Sequence, residues 1–483
     1  MIVDGWLARA AAARPGRVAL QTPRGAISYA ELLAGASAGA AELTARGVGP
    51  GQRVAIALPS GIAFAQALHA CLLLGAVAVP VDLRLTAAER ELVTAGAAAL
   101  LEEPLCPDED RRAGGRPGKV GSAELARHAG ARHDLEAAAV VIHTSGTTSA
   151  PKPVELTYGN LLWSALGSAV ALGLDSRERW LGALPLAHVG GLSILLRSTI
   201  YATTAVLHER FDVEAVLEAL REREITLVSL VATTLARLLD AGLERPPTLR
   251  CALTGGGPVP AALVARARAA GVPVSLTYGL SESCSQVTTT PVASLESTES
   301  TEPMAVSTRT PPPTSEPGSE GDLNAGPPLF CTRVMVDAEG EILVAGPTVA
   351  PRSLATDGWL HTGDLGALDE HGRLRVTGRK ADTIVSGGEN VAPAEVEAML
   401  EAHPDVLEAA VVPRADPQWG EVVTAIVVAR PGSTLDVQEL RAHCARDLAP
   451  HKVPKQMSFV EEPLPRTRSG KLLRRELRID GEQ

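Results

Sequence analysis

The chain has 483 residues, 45% of them hydrophobic and 21% charged. These are ordinary globular values that exclude collagen-like, coiled-coil and wholly disordered classes, and at roughly 150 residues per domain the length suits about three domains or subdomains. A net charge of −11 excludes a general nucleic-acid binder, which needs a basic face, but leaves room for local basic pockets.

The first twenty residues carry Asp4, Arg9, Arg14 and Arg17 and no apolar run, so no secretory signal is read there. The cysteines at 71, 106, 251, 284, 331 and 444 show no CxxC pair, which argues against a disulfide frame or a zinc site and for a reduced, cytoplasmic protein. The longest apolar stretch, Ala63 to Val81, is interrupted by Gln66, His69 and Gly75 and closed by Pro80. A buried helix running into a buried strand explains it better than a membrane span.

Over the first two-thirds, β-rich runs alternate with helical periods. Strand 53–59 precedes a helix at 62–74, and strand 76–82 precedes a helix at 86–99. Strand 137–144 leads into a Gly/Ser/Thr loop and then a helix over 156–170. Strands at 225–231 and 249–257 are each followed by helices, 232–242 and 260–271. This alternation predicts an α/β fold of βα units with parallel sheets. Pro104 to Ala123 reads as a polar surface loop, and Ser294 to Gly326, rich in Ser, Thr, Pro and Glu, as a flexible surface insertion with too few apolar groups to offset ordering. Residues 334–346 predict a hairpin turning at Ala338–Gly340. After Gly378 the pattern changes to helix 393–403, strands 406–413 and 421–429, helix 437–448 and strand 456–462. These predict two domains, 1–378 and a small α+β domain at 379–483.

The segment Thr144-Ser145-Gly146-Thr147-Thr148-Ser149-Ala150-Pro151-Lys152 follows an apolar strand. Small residues let backbone N–H groups approach an anion, hydroxyls add donors, and Lys152 adds a point charge. It is not the GxxxxGK[ST] loop, because Pro153 follows the lysine. Lysine is scarce: Lys119, Lys152, Lys380, Lys452, Lys455 and Lys471 are all there are, every other basic residue being arginine. A lysine kept in such a chain suits sites that want a compact ammonium rather than a guanidinium fork.

That loop resembles the phosphate loop of the acyl-adenylate-forming superfamily of acyl- and aryl-CoA ligases, luciferases and peptide-synthetase adenylation domains. Thr277-Tyr278-Gly279-Leu280-Ser281-Glu282 resembles its Y-G-x-T-E motif, and Trp359 to Asp364 its W-x-x-T-G-D motif. Gly378-Arg379 through Asn390 is similar to its hinge, and Pro465 to Lys471 to its C-terminal P-R/K-T-x-S-G-K segment. The resemblance covers nearly the whole chain. It implies ATP, Mg²⁺ and coenzyme A as ligands. Thr144, Ser145, Gly146, Thr147 and Thr148 would hold phosphate, with Lys152 as a catalytic cation. Tyr278 would offer its ring to adenine beside Gly255, Gly256 and Gly257, Gly279 and Ser281 would bind the nucleotide, and Glu282 would hold the metal. Asp364 and Arg379 would bind ribose, Lys471 would stabilise charge in the adenylation step, and Lys380, Ala381 and Asp382 would form the hinge of a mobile C-terminal lid. Three positions depart from the usual pattern: Ser149 and Pro153 replace glycines, and Ala381 stands where Asp or Lys is usual.

The stretch Leu184-Pro185-Leu186-Ala187-His188-Val189-Gly190-Gly191-Leu192-Ser193-Ile194-Leu195-Leu196-Arg197-Ser198 places Ser193 and Arg197 one helical turn apart on one face. A pocket-facing arginine would pair with a second substrate carboxylate. This pattern, with Gly255–Pro260 and Val385–Glu397, resembles the o-succinylbenzoate–CoA ligases of menaquinone biosynthesis. By that resemblance His188, Ser193 and Arg197 line the acyl site, and the partners are small molecules, with no nucleic acid and no membrane insertion; a homo-oligomer stays open. Two other readings stay open: an aryl-CoA ligase or free-standing adenylation enzyme for another carboxylate, and an ATP-binding homologue with impaired catalysis.

Overall fold

The computed structural model describes residues 1–105, 130–144, 151–292, 323–417, 419–466 and 472–477. Most of the expected loop at 104–123 and insertion at 294–326 lies outside these residues. The fold is mixed α/β, with two largely parallel sheets, an antiparallel four-stranded sheet and a separate C-terminal α+β unit.

One sheet has the strand order Ala99–Leu101, Arg53–Ile56, Val77–Pro80, Ala138–Thr144, Lys152–Thr157. Its first four strands are parallel. The second, of eight strands, is parallel from Val274–Tyr278 through Cys251–Thr254, Leu227–Leu230, Arg179–Gly182 and Thr204–Leu207 to Val18–Thr22, with an antiparallel strand at each end. Such strands are buried on both faces, which is why they read as continuous apolar runs. The largest apolar core lies among helices Tyr29–Ala45, Ile62–Leu74, Tyr158–Leu172 and Val189–Tyr201 and takes in strand residues of both sheets, such as Leu20, Val54, Ile142 and Ala205.

Local chemistry sets the helix starts. Ser28 accepts from the backbone N–H of Glu31 while the Glu31 carboxylate accepts from the backbone of Ser28, a capping box opening helix Tyr29–Ala45. Thr157 and Asn160 do the same for helix Tyr158–Leu172.

Two expectations are corrected. The strand at 137–144 does not lead through its loop directly into a helix. Ala138–Thr144 pairs antiparallel with Lys152–Thr157, and only then does helix Tyr158–Leu172 begin. Val154 and Leu156 are buried while Lys152 and Pro153 are exposed, the period of a half-buried strand, and Pro153 is tolerated because this is the sheet edge. The helix expected over 86–99 spans only Ala87–Thr94, and Ala99–Leu101 is a strand.

Strands Arg333–Val336, Glu341–Ala345, Leu360–Leu368 and Leu374–Arg379 form the four-stranded sheet, whose first hairpin turns at Gly340 with φ +84°. In the C-terminal unit, helices Pro393–Glu401 and Val437–Asp447 cover a sheet built on Val406–Asp416, Gly420–Ala429 and Gln456–Val460. The hairpin Ile384–Ser386 and Glu389–Val391 completes that sheet. Among the described residues no helix is long and apolar enough to cross a membrane.

Candidate active site

Of the expected nucleotide residues, Tyr278, Asp364 and Arg379 meet where the eight-stranded sheet joins the four-stranded one. Tyr278 ends strand Val274–Tyr278, and its hydroxyl donates to Asp364 Oδ2 at 2.8 Å. Arg379 Nε donates to Asp364 Oδ1, also at 2.8 Å. Asp364 and Arg379 are direct cross-strand partners, so the sheet itself sets their separation. Asp364 is buried and keeps unused lone pairs, since a carboxylate offers about four acceptor positions. Burial, and then the adjacent Asp364 charge, push the Tyr278 phenol far above its usual range, so it stays a donor.

Gly255 follows strand Cys251–Thr254, and a Cβ there would lie 2.4 Å from the Thr277 carbonyl. Its lack of a side chain is what lets this loop lie against the strand of Tyr278. Gly256 turns the chain with φ +80°, a conformation that favours glycine; Gly257 has open space beside it. Gly279 is more constrained, because a Cβ there would meet the Ser285 carbonyl at 1.5 Å.

Ser281–Ser283 form a 3₁₀ turn that carries Glu282. Cys284 and Ser285 then adopt φ of +56° and +93°, left-handed values that are costly away from glycine. The backbone carbonyl of Glu282 accepts from Ala350 N–H at 2.8 Å. Among the described residues Glu282 makes no ion pair, and no group of three or more possible metal ligands is assembled. A carboxylate so placed fits Mg²⁺, which binds through one or two protein oxygens and takes its other ligands from substrate phosphate and water.

Strand Lys152–Thr157 packs against the Ser281–Ser283 turn. Thr144 and Lys152 are register partners at the mouth of the hairpin, and the Thr144 hydroxyl donates to the Lys152 carbonyl at 3.3 Å. The strand that opens with Lys152 thus packs against the turn that carries Glu282. Ser145, Gly146, Thr147, Thr148 and Lys471 lie outside the described residues.

The three expected acyl-site residues do not bond to one another. His188 Nε2 is 3.5 Å from Asp82 Oδ2 and 3.4 Å from Arg84 Nη2. Burial raises the Asp82 pKa, but hydrogen bonds from His188 and Arg84 outweigh it and hold the carboxyl far below its usual range. The Ser193 hydroxyl turns back to the Gly190 carbonyl at 3.1 Å. Arg197 is only 2% exposed; its Nη2 donates to Ser164 Oγ at 2.9 Å, its guanidinium lies 5.7 Å from the Trp180 ring centre, and its Nε is buried without a partner. No described acid pairs with it, and burial lowers its pKa. A buried guanidinium in this state calls for an anion.

Asp82 was not anticipated, although it follows strand Val77–Pro80 at the carboxyl end of a parallel sheet, where α/β ligands gather. Ser164 carried no signal at all, since a serine within an apolar helix looks like filler.

The residues of the supposed hinge pull in opposite directions. Lys380 Nζ pairs with Glu339, and with Glu341 at 3.5 Å, on the antiparallel hairpin. Asp382 pairs at 3.1 Å with Arg474, which also holds Glu397 on helix Pro393–Glu401 at 2.7 Å. Of the remaining lysines, Lys452 holds Glu395 at 2.7 Å and Lys455 sits 3.0 Å from the Trp419 ring centre.

In comparison with known proteins, residues 7–353 match the family described as AMP-binding enzyme, and residues 395–471 the AMP-binding enzyme C-terminal domain. The chain is 37% identical over 507 residues to the 2-succinylbenzoate–CoA ligase of Bacillus licheniformis, covering 99% of this chain and 100% of that one. It superimposes with a TM-score of 0.82 on the o-succinylbenzoate CoA synthetase of Bacillus subtilis in complex with the acyl-adenylate intermediate OSB-AMP, at 36% identity over 100% of this chain and 99% of the other. The same synthetase in complex with ATP and magnesium ion gives 0.81, at 36% identity over 99% and 100% of the two chains.

Proposed function

The chain belongs to the AMP-binding enzyme family, and we propose that it acts there as an o-succinylbenzoate–CoA ligase. In the first half-reaction a carboxylate oxygen of o-succinylbenzoate attacks the α-phosphorus of ATP and pyrophosphate leaves, giving the acyl-adenylate. In the second, the CoA thiolate attacks the acyl carbon, AMP leaves, and the products are o-succinylbenzoyl-CoA and AMP.

The observation that carries the substrate is Arg197, a buried guanidinium with no acid partner among the described residues. An aromatic acid with a succinyl arm has two carboxylates, one to activate and one to neutralise this cation. Full-length likeness to 2-succinylbenzoate–CoA ligases supports the same reading.

In this reading Tyr278 offers its ring to adenine. Asp364 accepts the ribose hydroxyls while Arg379 and Tyr278 hold it in place. Thr144 to Thr148 and Lys152 cradle the phosphates, and Glu282 contributes an oxygen to Mg²⁺. When bound, that ion neutralises phosphate charge as pyrophosphate departs. Lys471 supplies a cation to the reacting phosphoryl group. His188, held by Asp82 and Arg84, and Ser193 line the acyl side. The pivot of the C-terminal lid lies at Lys380–Asp382, dividing 1–378 from 379–483. Its support is that Lys380 grips one body and Asp382 the other, and that the two family matches end and begin on either side of it.

The test is ATP–pyrophosphate exchange followed by thioester formation over o-succinylbenzoate, benzoate and fatty acids. Exchange with o-succinylbenzoate is expected to exceed the others. Turnover of plain benzoates without o-succinylbenzoate would make the chain an aryl-CoA ligase, and no exchange with any acid would end the enzymatic reading.

A further inference from the structure

Helix Tyr158–Leu172 braces the Glu282 turn from two sides through residues four apart, and hence on one face. Near its start, Asn160 Nδ2 donates to the carbonyls of Pro347 and Val349 at 2.9 and 3.0 Å, and the next residue, Ala350, donates its N–H to the Glu282 carbonyl. One turn along, the buried Ser164 hydroxyl donates to the Cys284 carbonyl at 2.6 Å. The same oxygen accepts from Arg197 Nη2 at 2.9 Å. Ser164 thus joins the strained end of the Glu282 turn, where Cys284 sits at φ +56°, to the one buried arginine of helix Val189–Tyr201.

We propose that Ser164 is a positioning residue that couples the acyl-carboxylate subsite at Arg197 to the metal–nucleotide turn at Glu282. The coupling rests on the o-succinylbenzoate reading above, and follows from shared ordering. A carboxylate at Arg197 fixes the guanidinium, which fixes the direction of the Ser164 O–H and so the carbonyl of Cys284. MgATP at Glu282 orders the same turn from the other end. Whichever ligand arrives second finds this chain of hydrogen bonds already set, so each tightens the other by an equal factor.

The experiment is calorimetric titration of o-succinylbenzoate into wild type and Ser164→Ala, with and without a saturating magnesium complex of α,β-methylene ATP. In wild type the nucleotide is expected to tighten o-succinylbenzoate by about fivefold or more. Ser164→Ala should bring that factor close to one while still binding each ligand singly. Should Ser164→Ala fail to fold, Ser164→Cys, similar in size but a weak donor and acceptor, should fold and show most of the same loss. Arg197→Met supplies a second arm: adding Ser164→Ala to it should cost clearly less pyrophosphate exchange than Ser164→Ala costs in wild type, because one link of the chain is already cut. Undiminished tightening in Ser164→Ala or Ser164→Cys, or additive losses in the double variant, would overturn the coupling. A wild type that binds o-succinylbenzoate without any tightening would overturn it too. A wild type that does not bind o-succinylbenzoate at all would instead remove the substrate assignment.

Discussion

Tyr278 and Asp364, 86 residues apart, are joined by a 2.8 Å hydrogen bond from phenol to carboxylate. With Arg379 on the other oxygen, the bond ties the end of a parallel strand to an antiparallel sheet. Tyr278→Phe keeps the ring and removes the donor. We expect a loss of about 1 kcal/mol, or roughly a fivefold rise in KM for ATP in pyrophosphate exchange, with KM for o-succinylbenzoate little changed. An unaltered KM for ATP would mean that the carboxylate is held by Arg379 alone.

Arg197→Met should lower kcat/KM for o-succinylbenzoate by roughly 10- to 100-fold, the loss of one charge-assisted contact of about 1.5–3 kcal/mol. The KM for ATP should move far less. Arg197→Lys should restore little, because a point ammonium cannot serve both Ser164 and a carboxylate with a planar fork. Full activity of the lysine variant would show that charge alone suffices.

Gly279→Ala places a methyl 1.5 Å from the Ser285 carbonyl. The turn bearing Glu282 must then move, at a cost on the order of 2 kcal/mol. Pyrophosphate exchange should fall more than tenfold and require more Mg²⁺. A variant with wild-type magnesium dependence would show that the turn relaxes without displacing Glu282.

In the C-terminal unit, burial raises the Glu401 carboxyl from 4.5 to about 7, with Glu397 and Glu408 adding to the rise and a backbone N–H and Arg466 opposing it. Between those two values the folded chain keeps a proton that the unfolded chain releases. Stability is therefore fully present below about pH 4.5 and declines as pH rises through 7. Glu401→Gln mimics the protonated form, so its advantage over wild type should grow across that window to something on the order of 3 kcal/mol. Denaturant titrations at pH 5 and pH 8 check this; an equal difference at both would refute it.

The C-terminal elements were legible because short apolar runs and helical periods there follow one another cleanly, from Pro393 to Val460. The cluster of Tyr278, Asp364 and Arg379 was legible because each lies in a motif that is local in sequence. The hairpin strand Lys152–Thr157 was not, since Pro153 reads as a break unless the strand is known to lie at an edge, and edges are a property of the finished sheet. Ser164 was invisible for a related reason. Its partners are 33 and 120 residues away, and nothing in the helix around it distinguishes a hydroxyl with a task from one that merely fits.

That edge strand has one more effect, on what the protein does with its neighbours. A bare sheet margin is a template on which another chain can add a strand, and so a starting point for aggregation. Here the outermost strand presents an exposed lysine and an exposed proline side by side: the first repels close approach by other cations, and the second lacks the N–H that strand addition would need. Where the family has Lys-Gly, this chain thus sets at the margin of the sheet two residues that each disfavour strand addition.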